Sequence, residues 1–269
     1  MTVIAVVGDA ATTTSVAITA GWPDAHEVVL LEADPRGGSL AGWLDTPAHP
    51  SLATLVATAG TDAARDHGSI IDTFDAMTHR SESGLRFVAA GVRARAAHRA
   101  VEEAATAVLP AIAAAPTVVI ADAGVHDSGR TPSPAVRVAD VVVIVHRQAS
   151  ASAGAATVRI ERLVETVGEL AHVDAVVVLA VIGAAPFDPT EIGQFVDQSV
   201  PGTVATTVAV AEDPLAAATI AGRAGVSAKR LRRLPLMRSA SALAVLLSEL
   251  VAGPHLDTDQ PIGEHQASA

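Results

Sequence analysis

Eight consecutive apolar residues, Ala175 to Ile182, lie between Asp174 and Gly183. A strand with one wet face alternates polar and apolar side chains, and a membrane-spanning helix needs about 20 apolar residues. A run this short and unbroken therefore predicts a strand covered on both faces, which requires helices above and below it. The rest of the chain supplies that alternation. Further strands are predicted at 2–7, 27–33, 85–89, 117–121, 141–145 and 204–210. Helices are predicted at 13–20, 51–59, 69–79, 93–114, 151–170, 188–197 and 236–251, with Pro110 near the end of the fourth. Strands alternating with helices imply right-handed βαβ units. The expected fold class is α/β, with one doubly wound, mostly parallel sheet flanked by helices over residues 1–252. The polar segment 253–269 contains two prolines and is expected to be disordered.

Composition narrows the function classes. Half of the 269 residues are apolar but only 2% are aromatic, so Ala, Val and Leu must fill the core. The absence of cysteine excludes disulfides and thiolate metal sites. No basic stretch opens the chain, so no signal peptide is read and a cytoplasmic location is expected. The net charge of -11 opposes non-specific nucleic-acid binding. Lys229 is the sole lysine, and there is no Asn or Tyr.

In doubly wound sheets, ligands bind beyond the carboxyl ends of the strands. Three turns fall there. The first is Gly8-Asp9-Ala10-Ala11-Thr12-Thr13-Thr14, where amides opening a helix attract anions. A phosphate loop also needs glycines and a lysine. This turn keeps only Gly8 and adds a carboxylate at Asp9, so it also reads as a threonine-rich helix start. The second is Glu32-Ala33-Asp34-Pro35-Arg36-Gly37-Gly38. Its two carboxylates, spaced by two, fall on one side of a strand and could orient a water or reach a metal shell. An Asp-Pro turn is the plainer reading. The third is Asp122-Ala123-Gly124, a carboxylate ending a buried strand, suited to Mg2+ or simply to a turn.

In order and spacing these turns resemble the ParA/MinD family of P-loop ATPases over roughly residues 2–251. The resemblance implies ATP and Mg2+ as cofactors. It puts Thr12 and Thr13 on the family's threonine pair, with Thr12 and Asp122 on Mg2+. Ala11 falls on the signature lysine and Ala10 on the preceding glycine. Asp34 corresponds to the switch carboxylate that positions water, Glu32 to the first acidic position and Arg36 to a glutamine. Asp140 resembles an aspartate before the next strand, and Ile182-Gly183 replaces an adenine-reading Asn. A narrower set is similar to actinobacterial MinD-like proteins and the TadZ/CpaE localisation factors. It comprises the lysine-free threonine loop, Glu-Ala-Asp-Pro-Arg-Gly-Gly, Pro186-Phe187-Asp188-Pro189 and 231–236.

Three functions are compatible with these residues. The first is a dimeric pseudo-ATPase scaffold that positions a secretion, pilus, division or partition machine. The second is an Mg-ATP-binding ATPase using an arginine, Arg36 being nearest, in place of the lysine. The third, a dinucleotide-dependent reductase, retains one of the three fingerprint glycines. The basic cluster Lys229, Arg230, Arg232, Arg233 and Arg238 reads as a solvated loop or as a contact to DNA or an acidic partner. DNA binding is not expected. The acidic chain end provides no basic membrane-targeting helix.

Overall fold

The computed structural model describes residues 2–23, 27–62, 67–112, 115–129, 131–148 and 152–252. The expectation for 253–269 lies outside the described residues. The strands are β1 (Thr2–Gly8), β2 (Glu27–Glu32), β3 (His79–Arg80), β4 (Arg86–Val88), β5 (Thr117–Asp122), β6 (Val141–Arg147), β7 (Val176–Ile182) and β8 (Val204–Val210). They form one sheet in the order β3-β4-β2-β5-β1-β6-β7-β8. Every pairing is parallel except β3 with β4. The chain moves from β1 outward to β2 and later returns through β5 to β6 on the other side of β1. The crevice beyond the end of β1 is therefore the topological switch point.

The helices are α1 (Ala11–Ala20), α2 (Leu40–Trp43), α3 (Leu52–Asp62), α4 (His67–Ala76), α5 (Ala94–Glu103), α6 (Leu109–Ile112), α7 (Pro134–Arg137), α8 (Ala153–Leu170), α9 (Pro189–Ser199), α10 (Pro214–Ile220), α11 (Ala228–Leu231) and α12 (Pro235–Ala252). Two apolar layers sandwich the sheet, one under α3–α6, α8 and α9 and the other under α1, α10 and α12. Both faces of the central strands are thus dry, which is why β7 reads as an uninterrupted apolar run. Small Ala and Val side chains allow this close helix-on-sheet contact.

Several boundaries differ from the sequence reading. Helix α1 starts at Ala11, two residues earlier than expected, because Ala10 turns the chain in a left-handed conformation with φ 60°. The helix expected over 93–114 is α5 and α6 joined by a π-helical segment, Ala104–Val108. Pro110 lacks an N–H and its ring crowds the preceding turn, and widening that turn accommodates both. The short elements α2, β3, α7, α10 and α11 were not expected, having too few residues to show a period. By length and apolar composition α12 could cross a membrane. Here Leu236, Met237, Leu243, Ala244 and Leu247 are buried in the layer under α1 and α12.

Candidate functional site

The sheet register brings the three turns together. Glu32 and Val6 both pair with Asp122 across adjacent strands. The Gly8 N–H donates to the Gly124 carbonyl at 2.9 Å, and the Ala33 N–H to that of Asp122 at 2.8 Å. Gly8 has φ 113°, and a Cβ there would collide with the Val145 carbonyl of β6. Gly124 has φ 71°, and a Cβ there would strike the Asp34 carboxylate. Gly8, Asp34 and Asp122 thus share one edge.

Within this edge the carboxylates have different employments. Glu32 is buried and its Oε1 accepts from the Ser39 and Leu40 amides at 2.5 and 2.8 Å. Its Oε2 accepts from the Ala90 amide at 2.9 Å. Both oxygens are consumed by backbone, so the water-orienting or metal-reaching role expected for Glu32 is not what the geometry supplies. Glu32 instead starts α2 and ties β2 to the end of β4. Burial raises its pKa, against the three amides that lower it.

Asp34 is chelated by Arg36. The guanidinium donates through Nε to Oδ1 at 3.0 Å and through Nη2 to Oδ2 at 2.7 Å, and the Arg36 amide adds 2.9 Å to Oδ1. That side-chain bond raises the Arg36 pKa. Asp122 is fully buried, and only its Oδ1 is bonded, accepting from the Gly124 amide at 3.2 Å. Oδ2 has no partner of good geometry. Burial pushes this carboxyl up to about 7, while the Thr12 hydroxyl beside it and the Gly124 amide act in the opposite direction.

The phosphate-loop position is occupied differently. Only Asp9 and Ala10 separate β1 from α1. The Thr12 hydroxyl, in the first turn of α1, is brought beside Asp122. Ala11 is buried, Thr12 and Thr13 are half-buried, and Ala10 is exposed. Asp9 forms an ion pair with Arg159 of α8, which also donates to the Arg147 carbonyl at 3.1 Å. Arg147 is in turn paired with Glu212.

Sequence reasoning missed Arg159, Arg147, Glu212, Gln148 and His146. Arg159 lies 150 positions from Asp9, and one arginine on an amphipathic helix carries no signal. Gln148 donates to the Gly183 and Phe187 carbonyls at 2.9 and 2.7 Å, tying the ends of β6 and β7 together beside the Ile182-Gly183 step. His146 is buried in β6, where desolvation lowers its pKa. Asp140, expected to be a family marker, accepts from the Val3 amide at 2.8 Å and so sets the start of β1.

No protein-family model matches the chain, and a search of curated protein sequences returns no match. Solved structures do match. A cell division ATPase MinD from Pyrococcus furiosus superposes with a TM-score of 0.65 at 12% identity, covering 93% of this chain and 99% of that one. A ParA family ATPase from Chlorobium tepidum TLS gives 0.63 at 14% identity, covering 91% and 98%. A cobyrinic acid a,c-diamide synthase from Mycobacterium smegmatis, with bound ATP analog and magnesium, gives 0.54 at 15% identity, covering 94% and 97%. The fold is that of ParA/MinD-type P-loop ATPases.

Proposed function

We propose that this chain is a ParA/MinD-type pseudo-ATPase, a homodimeric scaffold that positions a secretion, pilus, division or partition machine. The observation that carries this reading is the two-residue connection between β1 and α1, with Asp9 ion-paired to Arg159 where phosphate would approach. A triphosphate needs converging amides and a cation. The connection has too few residues to wrap one, supplies no lysine and presents a carboxylate. Each missing charge-assisted contact forfeits about 1.5–3 kcal/mol of binding. A triphosphate therefore does not fit this edge.

The arginine-assisted alternative draws its support from Asp122, whose unpartnered Oδ2 beside Thr12 resembles half of an Mg2+ site. Against it, Arg36 already spends its guanidinium on Asp34. Calorimetry with a slowly hydrolysed ATP analogue and Mg2+ tests the choice. Affinity weaker than micromolar and turnover at background are expected. Tight Mg2+-dependent binding, abolished by Asp122→Ala, would overturn the pseudo-ATPase reading in favour of an active ATPase.

A further inference from the structure

The two lateral borders of the sheet differ in kind. A border strand leaves a row of N–H and C=O groups unpaired, and proteins blunt such rows with short strands, charges or proline. At one border this is done. Strand β3 has only two residues, one of them Arg80, and pairs antiparallel with β4, which carries Arg86. At the other border β8 runs for seven residues, Val204 to Val210, reading Val-Ala-Thr-Thr-Val-Ala-Val. It holds no charge and no proline, and no charged residue occurs between Asp197 and Glu212 in a chain of net charge -11. Whereas β7 is buried from Val177 to Ile182, only Val210 of β8 is buried, and Ala205 and Ala209 are exposed.

The ladder fixes which backbone groups of β8 face outward. The Val210 carbonyl accepts from the Gly183 N–H at 3.2 Å, on the β7 side. Successive residues of a strand turn their backbone groups to opposite sides, so Thr206, Val208 and Val210 bond β7 while Thr207 and Ala209 point away from it. Ala211 continues the alternation, and its outward amide is capped by the Ser239 hydroxyl of α12 at 3.1 Å. Among the described residues nothing caps Thr207 or Ala209. A bulge opposite Val177 and Val178 interrupts the register at Ala205, and pairing is regular from Thr206 to Val210.

These open groups match a second copy of the same strand. Turned by a two-fold rotation about Thr207, β8 lies antiparallel to itself. Thr207 then meets Thr207, Thr206 meets Val208, Ala205 meets Ala209 and Val204 meets Val210. Every pair sets a β-branched residue against a β-branched one, or alanine against alanine, which suits cross-strand packing. Thr207, outward on both copies, exchanges two N–H to C=O bonds with its counterpart. Just past the strand, Glu212 falls opposite Gly202, so no carboxylate faces another across the joint. A charged peptide, by contrast, would find no counter-charge along this border. We propose that β8 pairs with β8 of a second copy, joining two sheets into one across a two-fold axis at Thr207.

This contact is separate from the carboxyl-edge dimer and does not rest on it. A single strand joint belongs with small, weak interfaces of below about 1,200 Å2, so it forms where molecules are already concentrated. It would link the dimers of a scaffold gathered at one place.

Two measurements on the full-length protein test the joint. Light scattering from low to high micromolar concentration should show the mass rising above that of the dilute species. Ala209→Pro removes one outward N–H and leaves the β7 ladder intact, so it should abolish the rise. A variant that stays dimeric keeps the carboxyl-edge contact, whereas a variant that is monomeric while the wild type associates refutes that contact and leaves β8 as the joint. The second measurement uses the absence of cysteine, because a disulfide in a single-cysteine variant must link two copies. Thr207→Cys places two Cα atoms about 5.5 Å apart, within disulfide range. In the control Ala205→Cys the two thiols lie about 13 Å apart along the strands. Under mild oxidation Thr207→Cys should form linked pairs about tenfold faster or more. Thr207 is the less exposed of the two positions, so accessibility alone gives the opposite order. Equal rates in the two cysteine variants, or equal masses of wild type and Ala209→Pro at every concentration, would overturn the proposal.

Discussion

Glu32 shows how a single carboxylate can be spent on architecture inside an apparent active site. Three backbone amides from two separate segments end on its two oxygens. Glu32→Ala would leave all three without an acceptor in a buried place. A loss of about 3 kcal/mol or more is expected in urea unfolding, with Glu32→Gln recovering part of it because one carbonyl oxygen remains. His146 gives the pH dependence. Burial and the neighbouring Arg159 lower its pKa, against the opposing pull of Asp9. The unfolded chain therefore takes up a proton more readily than the folded one. The stability from keeping the ring neutral is present above the unfolded value of about 6.5 and is lost as pH falls below it. Melting curves should show the protein losing more stability between pH 7 and pH 5 than His146→Gln does. At this scale the sequence was half legible. Asp34 and Asp122 stood out because each ends or follows a strand. The Glu32 clamp and the Asp9–Arg159 pair were hidden, since their partners are backbone amides and a residue far along the chain.

Among the elements, α1 carries the clearest strain. Its N-cap is Ala10 at φ 60° with no side-chain hydrogen bond, a conformation that costs a residue with a Cβ about 1 kcal/mol relative to glycine. Ala10→Gly should raise the melting temperature by roughly 2–4 °C for a domain of this size. Gly124→Ala should do the reverse and by more, since it combines φ 71° with a collision against Asp34. Calorimetric melts of the two variants check both signs. Long elements were readable from sequence because apolar runs such as Val141–Val145 and Ala175–Ile182 survive any boundary error. The start of α1 was not. Thr12 and Thr13 resembled a cap, whereas the backbone turns two residues earlier at an alanine that no propensity scale would choose. The π segment before Pro110 was equally unreadable, because a proline signals disruption without saying how a helix absorbs it.

For the whole molecule, the sandwich of two apolar layers leaves the carboxyl edge as the surface on which a proposed homodimer would meet. Ala10 is exposed there, and the nearby charges of Asp9 and Asp34 are already neutralised internally by Arg159 and Arg36. Such a surface can be desolvated at lower cost than one with free charges. Light scattering should therefore give a dimer whose mass is the same with and without ATP, and a monomer in both conditions at high micromolar concentration would contradict it. The brief link between β1 and α1 also governs what this protein can become. Because helical geometry begins at Ala11, a lysine placed at that position would enter a helix that already buries it. Ala11→Lys alone should leave ATP turnover at background. Recovering a phosphate cradle would take added chain length between Gly8 and Thr12, so the way back to catalysis lies through insertion, beyond the reach of any single base change.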